Sequence, residues 1–139
     1  MYIFVGVGQS EANRLDQEPP EFQIDELFDV PGVGTVAGGL VTQGIIVEKM
    51  PLNVGPFEDG SFKIVHVSSI RRNKAACRLV RAQQSAALAL DISISQLRRG
   101  MVAISPQSEQ PIACQYFQVA TKNLIYQKYD KILIFDNIF

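Results

Sequence analysis

The sequence predicts an all-β fold, a sandwich or a barrel, and three observations predict it. Turn signals recur roughly every ten residues through the middle of the chain, which is the rhythm of short strands joined by tight connections. A half-buried strand pattern opens at Glu21. A β-branched, glycine-rich run follows from Thr35 to Val47. Glycines 38, 39 and 44 inside that run point to bulges or tight corners rather than to a helix.

The elements read in order as follows. In Glu21 to Val30, Phe22, Ile24, Phe28 and Val30 share one parity, and Gln23, Asp25 and Asp29 share the other. That is one half-buried strand, with Glu26 and Leu27 as exceptions. Pro31-Gly32-Val33-Gly34 breaks it. Leu52 to Gly55 is a short strand ending at Pro56, and Phe57-Glu58-Asp59-Gly60 carries the Asp-Gly signal of a hairpin turn. Phe62 to Ile70 is a further strand. Leu79 to Leu90 contains another, although its alanines make helix a rival. Ser95 to Gly100 predicts one helical turn, with Ser95 as N-cap and Gly100 as stop. Met101 to Ser105 is a closing strand. Past Pro111, Cys114 to Ile125 reads as one strand, and apolar Ile132 to Phe139 reads as a strand without a partner.

Composition bounds the function. The 139 residues suit one ordinary domain. With 47% hydrophobic and 19% charged residues the chain is globular rather than disordered. A net charge of -1 gives no global pull towards nucleic acid. The charges are nevertheless segregated: Glu11 to Asp29 holds seven acids and one base, and Lys63 to Arg99 holds eight bases and one acid. Cys77 and Cys114 have no metal-ligand spacing, which fits a reduced, cytoplasmic chain. No apolar run approaches the roughly 20 residues of a membrane-spanning helix. Met1 to Gly8 lacks the positive region of a signal peptide.

Motifs for chemistry are sparse. Gly6-Val7-Gly8 lacks the Gly-Lys-Ser/Thr by which a phosphate loop meets its nucleotide, and none occurs elsewhere. Asn73-Lys74-Ala75-Ala76 has alanine where a guanine-reading Asn-Lys-x-Asp carries its aspartate. His66, the only histidine, stands in a strand pattern without a metal or triad set, and Cys77 lacks a partner base; both read as structural. Asp25 and Glu26 are adjacent, and strand neighbours point to opposite faces, so they form no acid/base pair by themselves. The densest basic stretch is Arg71, Arg72, Lys74, Arg78 and Arg81, with Arg98 and Arg99 following. Clustered positive charge is either a solvated face or a phosphate-contacting one.

Glu21-Phe22-Gln23-Ile24-Asp25-Glu26, Val30-Pro31-Gly32-Val33-Gly34-Thr35-Val36, Gly38-Gly39 and Gly44-Ile45 form an ordered series. It continues in Val54-Gly55-Pro56, Ser69-Ile70-Arg71-Arg72-Asn73, Ala76-Cys77-Arg78, Ala86 to Leu90 and Leu97 to Val102, and closes at Ser105-Pro106. Over this span the chain resembles the second domain of elongation factor Tu and its relatives in the translational GTPase superfamily. Within it the chain is most similar to the eukaryotic GTP-binding protein one and two subfamily. Gln83 stands where relatives usually carry a turn glycine, and Lys49-Met50-Pro51 replaces the usual Gly-Asp.

The resemblance implies a closed antiparallel Greek-key β-barrel, and a parent protein that binds GTP and meets the ribosome or transfer RNA. Residues 1–20 are then a linker or tail, 21–106 the barrel, and 107–139 the truncated start of a following β domain. The resemblance offers Asp25, Glu26 and Phe28 as contacts to the aminoacylated end of transfer RNA. Acids can meet an amino group, and an aromatic ring offers a stacking surface. Arg71, Arg72, Lys74, Arg98 and Arg99 are the candidate RNA phosphate contacts. The chain is expected to be non-catalytic and to hold no cofactor, GTP and magnesium belonging to a G domain whose motifs it lacks. The expected partners are that G domain and the ribosome or RNA, with neither a membrane nor a small-molecule substrate. The other reading is a scaffold barrel that docks on the G domain and relays its nucleotide state.

Overall fold

The computed structural model describes residues 14–106, 112–118 and 125–134. After a helical stretch at 14–16 the chain forms β1 (Glu21–Val30), β2 (Gly34–Gln43), β3 (Ile45–Val47), β4 (Pro51–Gly55), β5 (Lys63–Arg72), β6 (Ala75–Cys77), β7 (Leu79–Arg81) and β8 (Ser85–Leu90). A 3-10 turn at Ile94–Gln96 leads to β9 (Val102–Ile104). Strands β10 (Ile112–Gln118) and β11 (Ile125–Ile134) follow.

Strands β4, β9, β1, β2, β8 and β5 lie side by side in that order, and β5 pairs back with β4, so the sheet closes into a six-stranded antiparallel barrel. Strand β6 extends the sheet as the return arm of a hairpin with β5. Closure removes the exposed edges that would otherwise recruit other chains. Inward residues of the six strands fill the interior: Phe22, Ile24, Val41, Leu52, Val54, Val67 and Leu88 are fully or almost fully buried. Each such side chain contributes about 1.5–3 kcal/mol relative to exposure. The short β3–β7 ladder adds the cross-strand pair Ile46 and Val80, both fully buried, and leaves Val47 and Leu79 outside.

Several sequence expectations change. The run Thr35 to Val47 divides at Gly44 into β2 and β3, and Leu79 to Leu90 divides into β7 and β8. Gln83 makes the second break, in a left-handed conformation (φ 69°), and Lys49 adopts another (φ 72°). Both stand where the resemblance expects glycine, and each side chain bonds back to a strand carbonyl, Gln83 to Thr42 and Lys49 to Ser68. The helical turn falls at Ile94–Gln96 with Ser93 as its N-cap, and it ends before Gly100.

Cys114 to Ile125 is not one strand, because Ile125 belongs to β11 and pairs with Gln118 of β10. Ile132 and Leu133 likewise pair with Cys114 and Ala113, so that segment has a partner. Phe135 to Phe139 and residues 1–13 lie outside the described residues. Residues 14–20, expected as linker, bond to the barrel at several points described below.

Candidate nucleic-acid interface

The site begins with a bulge. Ile24 pairs with Gly39 and Glu26 with Gly38, so Asp25 has no partner on β2. An extra residue reverses which parity faces the core. Before the bulge Phe22 and Ile24 point inward; after it Leu27 packs against the core, and Glu26 and Phe28 point out. The expectation that Phe28 shares the face of Phe22 and Ile24 is therefore overturned, since it is 47% exposed. The two exceptions in the sequence pattern, Glu26 and Leu27, are the trace of this bulge. It also brings Asp25 and Glu26, expected on opposite faces, to one groove.

Backbone proximity accompanies the bulge. A Cβ at Gly39 would run into the carbonyl oxygen of Gln23, so only glycine lets the two backbones meet so closely. Strand β1 is bonded on its other edge as well, Ile24 donating to the Met101 carbonyl (3.0 Å) and accepting from the Gly100 amide (2.9 Å).

The opposite wall is the β5–β6 hairpin. Arg71 pairs with Ala76 and Arg72 with Ala75. Asn73 and Lys74 turn the chain with φ of 49° and 67°. Positive φ at both central residues is the signature of a type I′ turn. Asn tolerates that conformation, whereas at Lys74 it costs roughly 1–2 kcal/mol. The Asn73-Lys74 pair thus has a local structural cause, and its likeness to a guanine-reading motif is incidental.

Between the walls the floor is low. Glu26 pairs with Gly38, Gly38 with Ala87, and Ala87 with Arg71, a single row across four strands. Three strand spacings separate β1 from β5, roughly 14 Å measured along the curved sheet. Asp25, Glu26, Phe28, Gly38, Arg71 and Lys74 are among the residues lining the resulting groove, whose volume is about 550 Å³. Its floor explains the alanines that made helix a rival: Ala86 and Leu88 face the core, while Ser85 and Ala87 face the groove.

A position for a Cβ on Gly38 lies 3.6 Å from both the Glu26 Cβ and the edge of the Phe28 ring. The aromatic ring therefore leans over bare backbone. Among the described residues, no side-chain hydrogen bond or ion pair engages Asp25, Glu26, Arg71 or Lys74.

The structure thus joins most of two residue sets that were distinct in the sequence, and divides one of them. Arg72 is half-buried and does not line the groove, as alternation on a strand requires. Arg98 donates through Nη2 to the Pro56 carbonyl at 2.7 Å, and Arg99 is exposed in the same loop; neither lines the groove. Asn73, Gly39, Ser85 and Ala86 also line it and were not singled out as contacts from sequence. The available signal was the Asn-Lys pair between two strand-like triplets.

No protein-family model matches the chain. Among solved structures, the crystal structure of translation elongation factor SelB from Methanococcus maripaludis, apo form, superposes with a TM-score of 0.65 at 22% identity. The match covers 83% of this chain and 24% of that one. The fold and its closure are those of an elongation-factor-type β-barrel domain. In sequence the chain is similar to GTP-binding proteins 1 and 2. It is 48% identical to GTP-binding protein 2 of Mus musculus and of Homo sapiens over 109 residues, 78% of this chain. It is 39% identical to GTP-binding protein 1 of Xenopus laevis over 106 residues, 76% of this chain. The matched stretch spans only 18% of the length of the first two relatives and 16% of the third.

Proposed function

We propose that the barrel is a non-catalytic, RNA-facing module of a GTP-binding, elongation-factor-like protein, and that its groove receives a single-stranded RNA end carrying an amino group. GTP and magnesium are assigned to the G domain of the parent, which is the expected GTPase. The observation that carries this reading is the groove, where Asp25, Glu26 and Phe28 face Arg71 and Lys74 across a floor of small residues.

Each wall has its chemistry. The carboxylates accept hydrogen bonds from an ammonium group, and such charge-assisted bonds are roughly twice as strong as neutral ones. Phe28 offers a stacking surface that any base satisfies. Arg71 and Lys74 take phosphate, releasing counterions. Arg99 remains a candidate phosphate contact outside the groove.

The test is a salt series with the full chain and a short single-stranded RNA ending in CCA. Arg71→Glu with Lys74→Glu should weaken binding. Each lost phosphate contact should also make the log–log salt slope shallower by about 0.7. Unchanged affinity and slope would remove the groove from the binding surface. It would favour the scaffold reading, in which the barrel works by docking on the G domain.

A further inference from the structure

The segment leading into the barrel is fastened to it at three separate places. The amide of Gly44, in the β2–β3 turn, donates to the Leu15 carbonyl at 2.7 Å, and Gln43 Nε2 donates to the Pro19 carbonyl at 3.0 Å. At the end of β9, the Ser105 amide donates to the Pro20 carbonyl at 3.0 Å. In the β7–β8 turn, Asp16 accepts from two donors at once. Its Oδ1 receives the Ala82 amide at 3.2 Å, and its Oδ2 receives Arg81 Nη1 at 3.3 Å.

Asp16 is the focus of this fastening. Its side chain is only 14% exposed, against 56% for Arg81. A largely covered carboxylate needs its acceptors filled, and here a backbone amide and a guanidinium fill them. Close packing reinforces the bonds, because a Cβ at Gly44 would run into the backbone of Pro20 and the Glu18 carbonyl. The segment also bonds within itself, Gln17 to Arg14 and Glu18 to Leu15.

We infer that residues 14–20 are a rigid strap latched by Asp16, so that the unit moving with the barrel begins at Arg14 rather than at Glu21. Resting on the reading that a G domain precedes the barrel, motion of that domain reaches the β7–β8 turn directly. That turn leads into Ser85, which lines the groove.

Amide hydrogen exchange on the full chain tests the latch without RNA or a G domain, so its failure and that of the RNA reading are distinguishable. The amides of Gly44 and Ala82 should be protected in the native chain. Asp16→Ala should speed exchange of both by tenfold or more and leave Ile24, bonded on the far edge of β1, unchanged. Asp16→Asn keeps an oxygen for Ala82 and should fall between. If Asp16→Ala also speeds Ile24, Arg81→Gln decides: the latch predicts faster Ala82 and Gly44 with Ile24 steady. Native Gly44 and Ala82 amides exchanging as unprotected groups, or variants that leave both rates unchanged, would overturn the inference.

Discussion

Asp16 on the strap and Glu26 on the barrel wall are both carboxylates, and their surroundings are opposite. Asp16 is mostly covered and holds an arginine and a backbone amide. Glu26 is exposed on the groove wall, without a hydrogen-bond or ion-pair partner among the described residues. The same holds for the cations: among the described residues Arg81 has an ion-pair partner, whereas Arg71 and Lys74 have none. A carboxylate whose acceptors are filled within the fold stabilises the fold. An unmatched acid and unmatched bases lining one groove over a bare floor are what the proposed RNA reading requires.

The largest expected effect separates two adjacent glycines. Gly39→Val puts a side chain into the Gln23 carbonyl and should cost about 3 kcal/mol of stability. Gly38→Ala meets only ordinary contacts with Glu26 and Phe28 and should change stability by less than about 1 kcal/mol. It should nevertheless weaken RNA binding severalfold, because the added methyl raises the floor. Denaturant titration and anisotropy read the two quantities. Equal stability losses at both glycines would break the division between fold and groove.

Next in size is the contrast between the carboxylates themselves. Asp16→Asn should lower stability by about 1 kcal/mol and leave RNA affinity alone. Asp25→Asn with Glu26→Gln should stay within about 0.5 kcal/mol of the parent in stability. A stability loss of the same size in both would mean that Glu26 is structural.

Lys74 sharpens the point, since it carries a backbone cost at the groove wall. Lys74→Gly should raise stability by about 1 kcal/mol and make the salt slope of RNA binding shallower. Gain in one property with loss in the other is the signature of a strained residue kept for binding.

The smallest effect is at Asp59, whose carboxyl lies below its ordinary value chiefly because the Ser61 hydroxyl and then the Ser61 amide donate to it. A depressed carboxylate stabilises the fold above its ordinary pKa and loses that contribution as pH falls through the folded value. Asp59→Asn should therefore flatten the acid side of the stability profile slightly, below about pH 4, and leave RNA binding unchanged at neutral pH.

Much of this was legible in the sequence because strand alternation and turn residues are local signals. The β1 strand, the Phe57–Gly60 turn, whose Gly60 amide bonds Phe57, and the closing β9 strand followed from them. What failed depended on partners distant in sequence. The bulge at Asp25 arises between β1 and β2, and it reversed the face of Phe28. The break at Gln83 shows only through the resemblance, because a left-handed turn there uses glutamine rather than glycine. The charged groove residues and Phe28 were named, but their union was not. Arg71 lies far from Glu26 in sequence, and only the order β1-β2-β8-β5 puts them on one row. The role of Arg98 was also out of reach, because its partner is a backbone carbonyl in another loop.

Whether the acid wall and the basic wall act on one ligand is decided by comparing two probes. One is a short single-stranded RNA ending in CCA with a 3′-hydroxyl; the other carries a primary amine at its 3′ end. The native chain should bind the amine-bearing RNA more tightly. Asp25→Asn with Glu26→Gln should abolish that preference while keeping the salt slope. Arg71→Gln with Lys74→Gln should weaken both RNAs alike and keep the preference. A preference that survives loss of both carboxylates, or no preference in the native chain, would contradict the account.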